Sequence, residues 1–509
     1  MAFFVAISIQ ESKLTIEQCF NKLIMASPGL NEKIIFGLKL KMLRKENGLL
    51  LQDLAQLSGI SASYLNEIEK AKKYPRPQKV EILAKCLNTS SQQLLSSTLP
   101  PRLTPVVELL ESNFLQDLPL DVFGIDLVKI VEMIADAPAK VGAFITTLVE
   151  MSRLHGQEAE HFYLGAMRAY QEMSNNYFED IEIAANNCLN KLKNVNETSL
   201  AAFLLEEYGI KTSYSSLQTY PELIMFRSVY IDNKSELLLA SALTQKQINY
   251  LLAKEIAFHY LKLEQRPETN KLWKIKSFEQ VLNNFKAHYF ASCLLIPKEL
   301  FIEDLKDFIS RKSFNAQMVE SWLEKYQVSP ELLMHRFNLL PQFLGIDKLF
   351  FVRVIHDINT DQYEIDKELH LSRRHDPQAN RLKEHYCRRW LSVSIFDQLK
   401  KEEKDICIQA QRSIYLDSEN EYICLSISKR DDYNPNKMIS ITAGLYIEPE
   451  SESTLKFLND ESIPRAKVNI TCERCHLQDC KERAEQPLVL IEKAKRKLIN
   501  KALEKLLKD

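Results

Sequence analysis

The chain opens with a weak apolar run and then settles into short helical periods. Between Lys33 and Leu95, apolar residues recur at helical spacing in five segments: Lys33 to Glu46, Leu51 to Leu57, Ser61 to Glu69, Gln78 to Leu87 and Ser91 to Leu95. Helical spacing returns from about Asp126 to Asn190, with a break at Ala137-Pro138, and again from Leu243 to Leu300. Two short helices around Ser329-Pro330 follow. Then the period changes from 3.6 to two. LFFVRVI (Leu349 to Ile355), SIYLD (Ser413 to Asp417), YICLSISK (Tyr422 to Lys429) and ISITAGLYI (Ile439 to Ile447) are rich in β-branched and aromatic residues, with turn clusters such as Asp431 to Asn436 between them. The pattern predicts a multidomain, mainly α protein. Its five-helix amino-terminal domain precedes a helical middle, and an α+β carboxy-terminal domain carries an antiparallel sheet.

The second and third helices are joined by a turn with specific chemistry. Ser58-Gly59 breaks the first helix, Gly59 suits a left-handed residue, and Ser61 is a good N-cap for the next. In that next helix Leu65 and Ile68 face inward, leaving Ala62, Ser63, Asn66 and Lys70 on other faces. Short side chains let a helix approach base edges, and Asn66 has the amide that pairs with adenine. From Asn31 to Leu99 there are eleven Lys and Arg against six Asp and Glu, near +5 in a chain of net charge −2. That asymmetry fits a basic face on a duplex. Lys39, Lys41, Arg44 and Lys45 before the turn, and Lys70, Lys72, Lys73 and Arg76 after it, are the phosphate-directed charges. The candidate DNA contacts are Arg44, Gln52, Ser61, Ala62, Ser63, Tyr64, Asn66, Lys70, Lys72 and Lys73.

The words LRKENGL, LAQLSGIS and SYLNEIE, with a proline before the fourth helix, resemble the Cro/repressor-like (XRE) helix-turn-helix family. The resemblance implies double-stranded DNA as partner. Two letters depart from the family: Leu50-Leu51 stand where a Thr-Gln pair is usual, and Ala71 stands where Gly usually follows the recognition helix.

Composition narrows the rest. At 509 residues and 45 % hydrophobic content the chain can bury several cores, and no window of eighteen apolar residues implies a membrane span. MAFFVAISIQ lacks a basic flank and a small-residue cleavage site, so no signal peptide is expected. Ten cysteines, scattered apart from one late cluster, suit a reducing cytoplasm.

LTQKQINYLLAKEIAFHYLKL and VLNNFKAHYFASCLLIP resemble the two central helices of the ImmA/IrrE-like domain, whose active members carry an H-E-x-x-H zinc helix. Two His at i and i+4 are needed to ligate zinc from one helix face, with the adjacent Glu as general base. This chain has Lys254, Glu255 and Phe258 there, His259 is one place out of phase, and Lys286 displaces the later acidic ligand. A degenerate, inactive zincin-like domain is expected, with Glu255 a surface or ion-pairing carboxylate. The enzymatic alternative is a zinc metallopeptidase.

TCERCHLQDCKERAEQP places Cys472, Cys475 and Cys480 within nine residues. The cluster is a candidate metal site, a redox-responsive pair or a reduced turn. With LFFVRV and CRRW (Cys387 to Trp390) it resembles the carboxy-terminal domain of the short-chain fatty acyl-coenzyme A regulators. That resemblance implies a bacterial transcription regulator with an acyl-CoA effector controlling carbon or fatty-acid metabolism, and we expect it to act as a cytoplasmic homodimer. Arg353, Arg373, Arg374, Arg388 and Arg389 are candidates for the coenzyme's phosphates. The expected organisation is an extension (1–30), helix-turn-helix domain (31–99), helical linker (100–190), ImmA/IrrE-like domain (191–345), acyl-CoA regulator-type domain (346–490) and amphipathic helix (491–509). That last helix is expected to pack on the body or on a second subunit. A redox- or metal-sensing regulator read through the cysteines is the remaining alternative.

Overall fold

A computed structural model describes residues 30–96 and 159–507, apart from short stretches at 215–216, 218–219, 224, 270–274, 372–383, 403–404, 433 and 450. The chain divides into two compact units, Met1–Ala159 and Glu160–Asp509. Pro100, Pro101 and Pro105, which in the sequence read as a short stiff linker, and the candidates Arg373 and Arg374 lie outside the described residues.

The first unit contains α1 (Leu30–Glu46), α2 (Leu51–Ser58), α3 (Ala62–Glu69), α4 (Pro77–Cys86) and α5 (Ser91–Leu95). Local chemistry sets each boundary. Gly59 ends α2 at φ 66°, the Ser61 hydroxyl accepts from the Tyr64 amide at 3.3 Å to cap α3, and Pro77 opens α4 at the position where its missing N–H costs nothing. Phe36, Leu40, Leu54, Leu65, Ile68, Val80 and Leu83 form the core. Gly37 lets α1 and α3 meet: a Cβ there would lie 2.5 Å from the Ile68 carbonyl oxygen.

After α3 the Lys72 amide bonds the Glu67 carbonyl and the Ala71 amide bonds the Ile68 carbonyl, both at 2.9 Å. This is a Schellman ending, and it places Ala71 at φ 55°. Alanine thus occupies the left-handed position the family usually gives to glycine, at a strain on the order of 1 kcal/mol. Its methyl is buried.

The second unit begins with α6 (Ala159–Met173), α7 (Glu179–Leu189) and α8 (Glu197–Tyr208). Strands β1 (Lys211–Ser213), β2 (Ser228–Ile231) and β3 (Glu236–Leu239) form a small sheet in the order β1-β3-β2. The two central helices follow, α9 (Gln245–Tyr260) and α10 (Phe278–Leu295), then α11 (Lys298–Ser310), α12 (Ala316–Lys325), α13 (Pro330–His335) and α14 (Leu339–Leu344). Thr244 and Gln247 form a capping box at the start of α9.

A six-stranded sheet follows, built from β4 (Leu349–Asp357), β5 (Gln362–His370), β6 (Ile406–Tyr415), β7 (Glu421–Arg430), β8 (Lys437–Tyr446) and β9 (Arg465–Val468) in the order β5-β4-β8-β7-β6-β9. The expected purely antiparallel sheet is corrected to a mixed one, because β9 runs parallel to β6. β5 is a strand the sequence hid, since QYEIDKELH carries too few apolar letters for a two-sided core strand. It is an edge strand, so half of it faces water. Helix α15 (Leu391–Glu402) covers one face of the sheet, over Phe350, Val352, Val354, Tyr422 and Met438. The other face, through Phe351, Ile423, Leu425, Ala443 and Leu445, shares one core with Phe308, Trp322 and Phe337. The segments expected as separate domains, 191–345 and 346–490, are therefore joined by continuous apolar packing.

The final helix, α16 (Leu488–Leu506), contains no buried residue, and every residue from Ile491 to Leu507 is exposed. Its expected packing on the body is not seen among the described residues.

Candidate functional site

The outer surface of α3 is composed as the sequence predicts. Leu65 and Ile68 are fully buried, while Ser61, Ser63 and Asn66 are exposed and Ala62 and Tyr64 are half-buried. Gln52 and Lys72 are also exposed. Tyr64 lies between two lysines, with the Lys79 ammonium 4.0 Å and the Lys73 ammonium 5.6 Å from its ring centre. This stack holds two cations beside the helix. Lys73 also bonds Glu67 at 2.8 Å, so a phosphate would have to compete with that carboxylate.

Two of the expected cations do not face outward. Arg44 is buried in a bidentate pair with Glu69, at 2.7 and 2.9 Å, and bonds the Leu49 carbonyl at 2.9 Å. It clamps the end of α3 to α1 and is corrected from DNA contact to structural brace. Lys39 is likewise buried, donating to the Gln93 carbonyl at 2.9 Å and the Ser96 hydroxyl at 2.7 Å, where it caps α5. Burial pushes its pKa down.

The zincin-like segment carries a different constellation. Lys254 and Glu255 are both buried in α9, so the surface alternative for Glu255 is corrected. The two Glu255 oxygens accept from Arg266 Nη1 and Nη2 at 2.5 and 2.6 Å, and His259 Nε2 lies 3.0 Å from Glu255 Oε1. Burial alone raises the Glu255 carboxyl, but the bonds and charge of Arg266 and His259 outweigh it and hold it below the usual range. The guanidinium stacks 4.0 Å from the Phe258 ring centre and 4.3 Å from that of Tyr230.

One turn back, Lys254 Nζ donates to Asn284 Oδ1 at 2.7 Å, and burial, then the charge of Arg266, pushes its pKa down to about 7. Lys286 is half-buried on α10. These residues do not fit a zinc ion. Phe258 has no donor atom, Lys254 contributes an amine in place of an imidazole, and a guanidinium already satisfies the carboxylate. Arg266 was missed in the sequence because it lies outside the helical motif, in the loop after α9.

In the carboxy-terminal domain Cys472 and Cys475 are buried, Cys480 is half-buried, and all three are free thiols. The Ala484 amide donates to Cys472 Sγ at 3.4 Å. A bridge between Tyr386 and Thr471 brings Cys387 into the same neighbourhood. Burial, reinforced by Cys472 and Cys475, pushes the Cys387 thiol up to about 11. Among the described residues no three His, Cys, Asp or Glu side chains are placed to hold a metal ion. Of the candidate phosphate contacts, Arg353 is paired with Glu331 and Asp366, each at 2.7 Å. Arg388 lies 3.6 Å from Asp361 and stacks 4.0 Å from the Tyr363 ring centre. Arg389 is half-buried.

These features define a multidomain chain with a helix-turn-helix unit and a second unit whose central helix carries a buried Glu255–Arg266 pair. Residues 40–94 match the helix-turn-helix family model, and residues 205–338 match the IrrE N-terminal-like domain model. Among solved structures, a Mycobacterium tuberculosis transcriptional regulator is similar at 18 % identity and a TM-score of 0.45, over 63 % of this chain and 92 % of that one. A comparison with curated proteins finds no match. Among the described residues no helix is long and apolar enough to cross a membrane.

Proposed function

We propose that this protein is a sequence-specific, DNA-binding transcription regulator of the bacterial cytoplasm. The observation that carries this reading is the exposed face of Ser61, Ser63 and Asn66 on α3, within a segment matching the helix-turn-helix model. Helix α3 enters the major groove, Asn66 reads a base edge, and Lys72 and its neighbours meet phosphates. A homodimer places two such helices about 34 Å apart on successive half-sites.

The IrrE-like segment acts in this reading as a binding body and not as a peptidase. What favours that role is the engagement of both Glu255 oxygens by Arg266. The words LFFVRV, CRRW and the cysteine motif support a short-chain acyl-CoA as effector, with carbon or fatty-acid metabolism under control.

The test is the affinity of the full chain for duplex DNA from its own upstream region, at several salt concentrations, with acetyl- or propionyl-coenzyme A added. Asn66→Ala is expected to relax sequence preference. Lys72→Ala is expected to weaken all sequences alike and to reduce the log–log salt slope by about 0.9. Equal affinity for every duplex would overturn the regulator, and an affinity indifferent to thioesters would remove the effector alone.

A further inference from the structure

The residues that deliver Arg266 are arranged as a ligand on a groove. Strand β2 is an edge of the small sheet, and its outer side is taken by the segment Gln265 to Thr269. The Tyr230 amide donates to the Glu268 carbonyl at 2.8 Å, and Val229 bridges Thr269 in antiparallel fashion. On the opposite side, two nearly inaccessible amides of α10 read the main chain. Asn283 Nδ2 donates to the Gln265 carbonyl at 3.0 Å, and Gln280 Nε2 donates to the Arg266 carbonyl at 3.3 Å. Pro267 is buried between them and the strand pairing, while Gln265 and Glu268 point to solvent.

This is how an extended peptide is held by an open sheet edge: main-chain bonds supply the affinity, and a pocket for one side chain supplies the choice. Here the pocket is made for a guanidinium. Its floor is the buried Glu255, bound in bidentate fashion, with His259 beside it and the rings of Phe258 and Tyr230 as walls. A lysine ammonium offers neither the fork that matches both carboxylate oxygens nor a plane to stack on the rings. The groove can therefore discriminate arginine.

We propose that the groove between β2 and α10 is a binding site for an extended peptide presenting an arginine, and that Gln265 to Thr269 occupies it in cis. A covalently attached segment competes at an effective concentration on the order of millimolar, so an external peptide gains access as the internal one is weakened. This inference concerns the second unit alone, and it stands or falls separately from DNA recognition.

The test uses a fluorescently labelled peptide of sequence Leu-Glu-Gln-Arg-Pro-Glu-Thr, titrated with the full-length chain and read by anisotropy. The wild-type chain is expected to bind weakly. Arg266→Ala, which empties the pocket, is expected to bind at least tenfold more tightly. The same peptide with lysine in place of arginine is expected to lose that gain, as is Glu255→Gln added to Arg266→Ala. If the alanine variant is too unstable to purify, Arg266→Lys takes its place, since it keeps a cation on Glu255 while losing the fork; a gain of several-fold is then expected. A folded variant that gains no affinity, or that takes the lysine peptide equally well, would overturn the proposal and leave Arg266 as a structural brace.

Discussion

Lys254 offers a prediction whose size and pH dependence both follow from its surroundings. Its amine is buried in α9 with Asn284 as hydrogen-bond partner, and burial holds its pKa at about 7, against an ordinary 10.5. A folded value below the unfolded one means that the unfolded chain binds the proton more tightly. Below pH 7 both states are protonated and the folded protein bears the whole cost of the buried charge. Between pH 7 and 10.5 the folded state loses the proton first, so the cost shrinks as pH rises. At about 1.4 kcal/mol per pH unit, the interval corresponds to a cost on the order of 5 kcal/mol.

Lys254→Met keeps the volume and removes the charge, at the expense of one hydrogen bond to Asn284 worth about 1 kcal/mol. The variant is expected to be more stable than wild type at pH 6 by several kcal/mol, and the advantage is expected to decline steadily toward pH 10. Tryptophan fluorescence during urea unfolding reports this directly, because all three tryptophans, Trp273, Trp322 and Trp390, belong to the second unit. A difference between variant and wild type that is flat from pH 6 to pH 10 would refute the argument. It would show that the amine is not the group that burial penalises.

The first unit supplies two further predictions. Glu69→Ala leaves Arg44 buried without its counter-charge, and is expected to cost about 3–5 kcal/mol. The pair replacement Arg44→Met with Glu69→Leu is expected to recover most of that loss, as read by circular dichroism melts of the full chain; equal destabilisation by both would show that the charges themselves are required. Gly37→Ala drives a methyl into the Ile68 carbonyl and is expected to abolish DNA binding while leaving the fluorescence-detected unfolding of the second unit unchanged. Retained binding would mean that α1 and α3 can separate without losing the reading helix.

The helix-turn-helix unit was legible because its signals are local. Gly59, Ser61 and Pro77 set their boundaries within a few residues, and the inward pair Leu65 and Ile68 follows from helical period alone. Charges were harder to place. Arg44 reads as a surface cation until Glu69, 25 residues on, is seen to face it, and no period connects the two. Lys39 has the same difficulty with Ser96. In the IrrE-like segment the letters Lys254, Glu255 and Phe258 were readable, whereas the partner of Glu255 was not, because Arg266 reaches it from a loop. Strand β5 stayed hidden behind its polar letters, and the parallel pairing of β9 depends on a contact between residues some fifty positions apart. Cys387 lies far from the cysteine motif in sequence, and the pairing of 385–387 with 470–472, including the Tyr386–Thr471 bridge, brings them together.

The packing of Phe351, Leu425 and Ala443 with Phe308, Trp322 and Phe337 in one core sets how the second unit can respond to anything it binds. A chain with a seam at residue 346 could hinge there, and each half could be cut out and studied alone. This one has no such seam. Severing it would leave both fragments with a wide apolar face in water, so truncations at that point are poor tools. A signal received on either side must be transmitted by re-fitting a common interior, as a change of shape of the whole body and not as the swing of one half against the other.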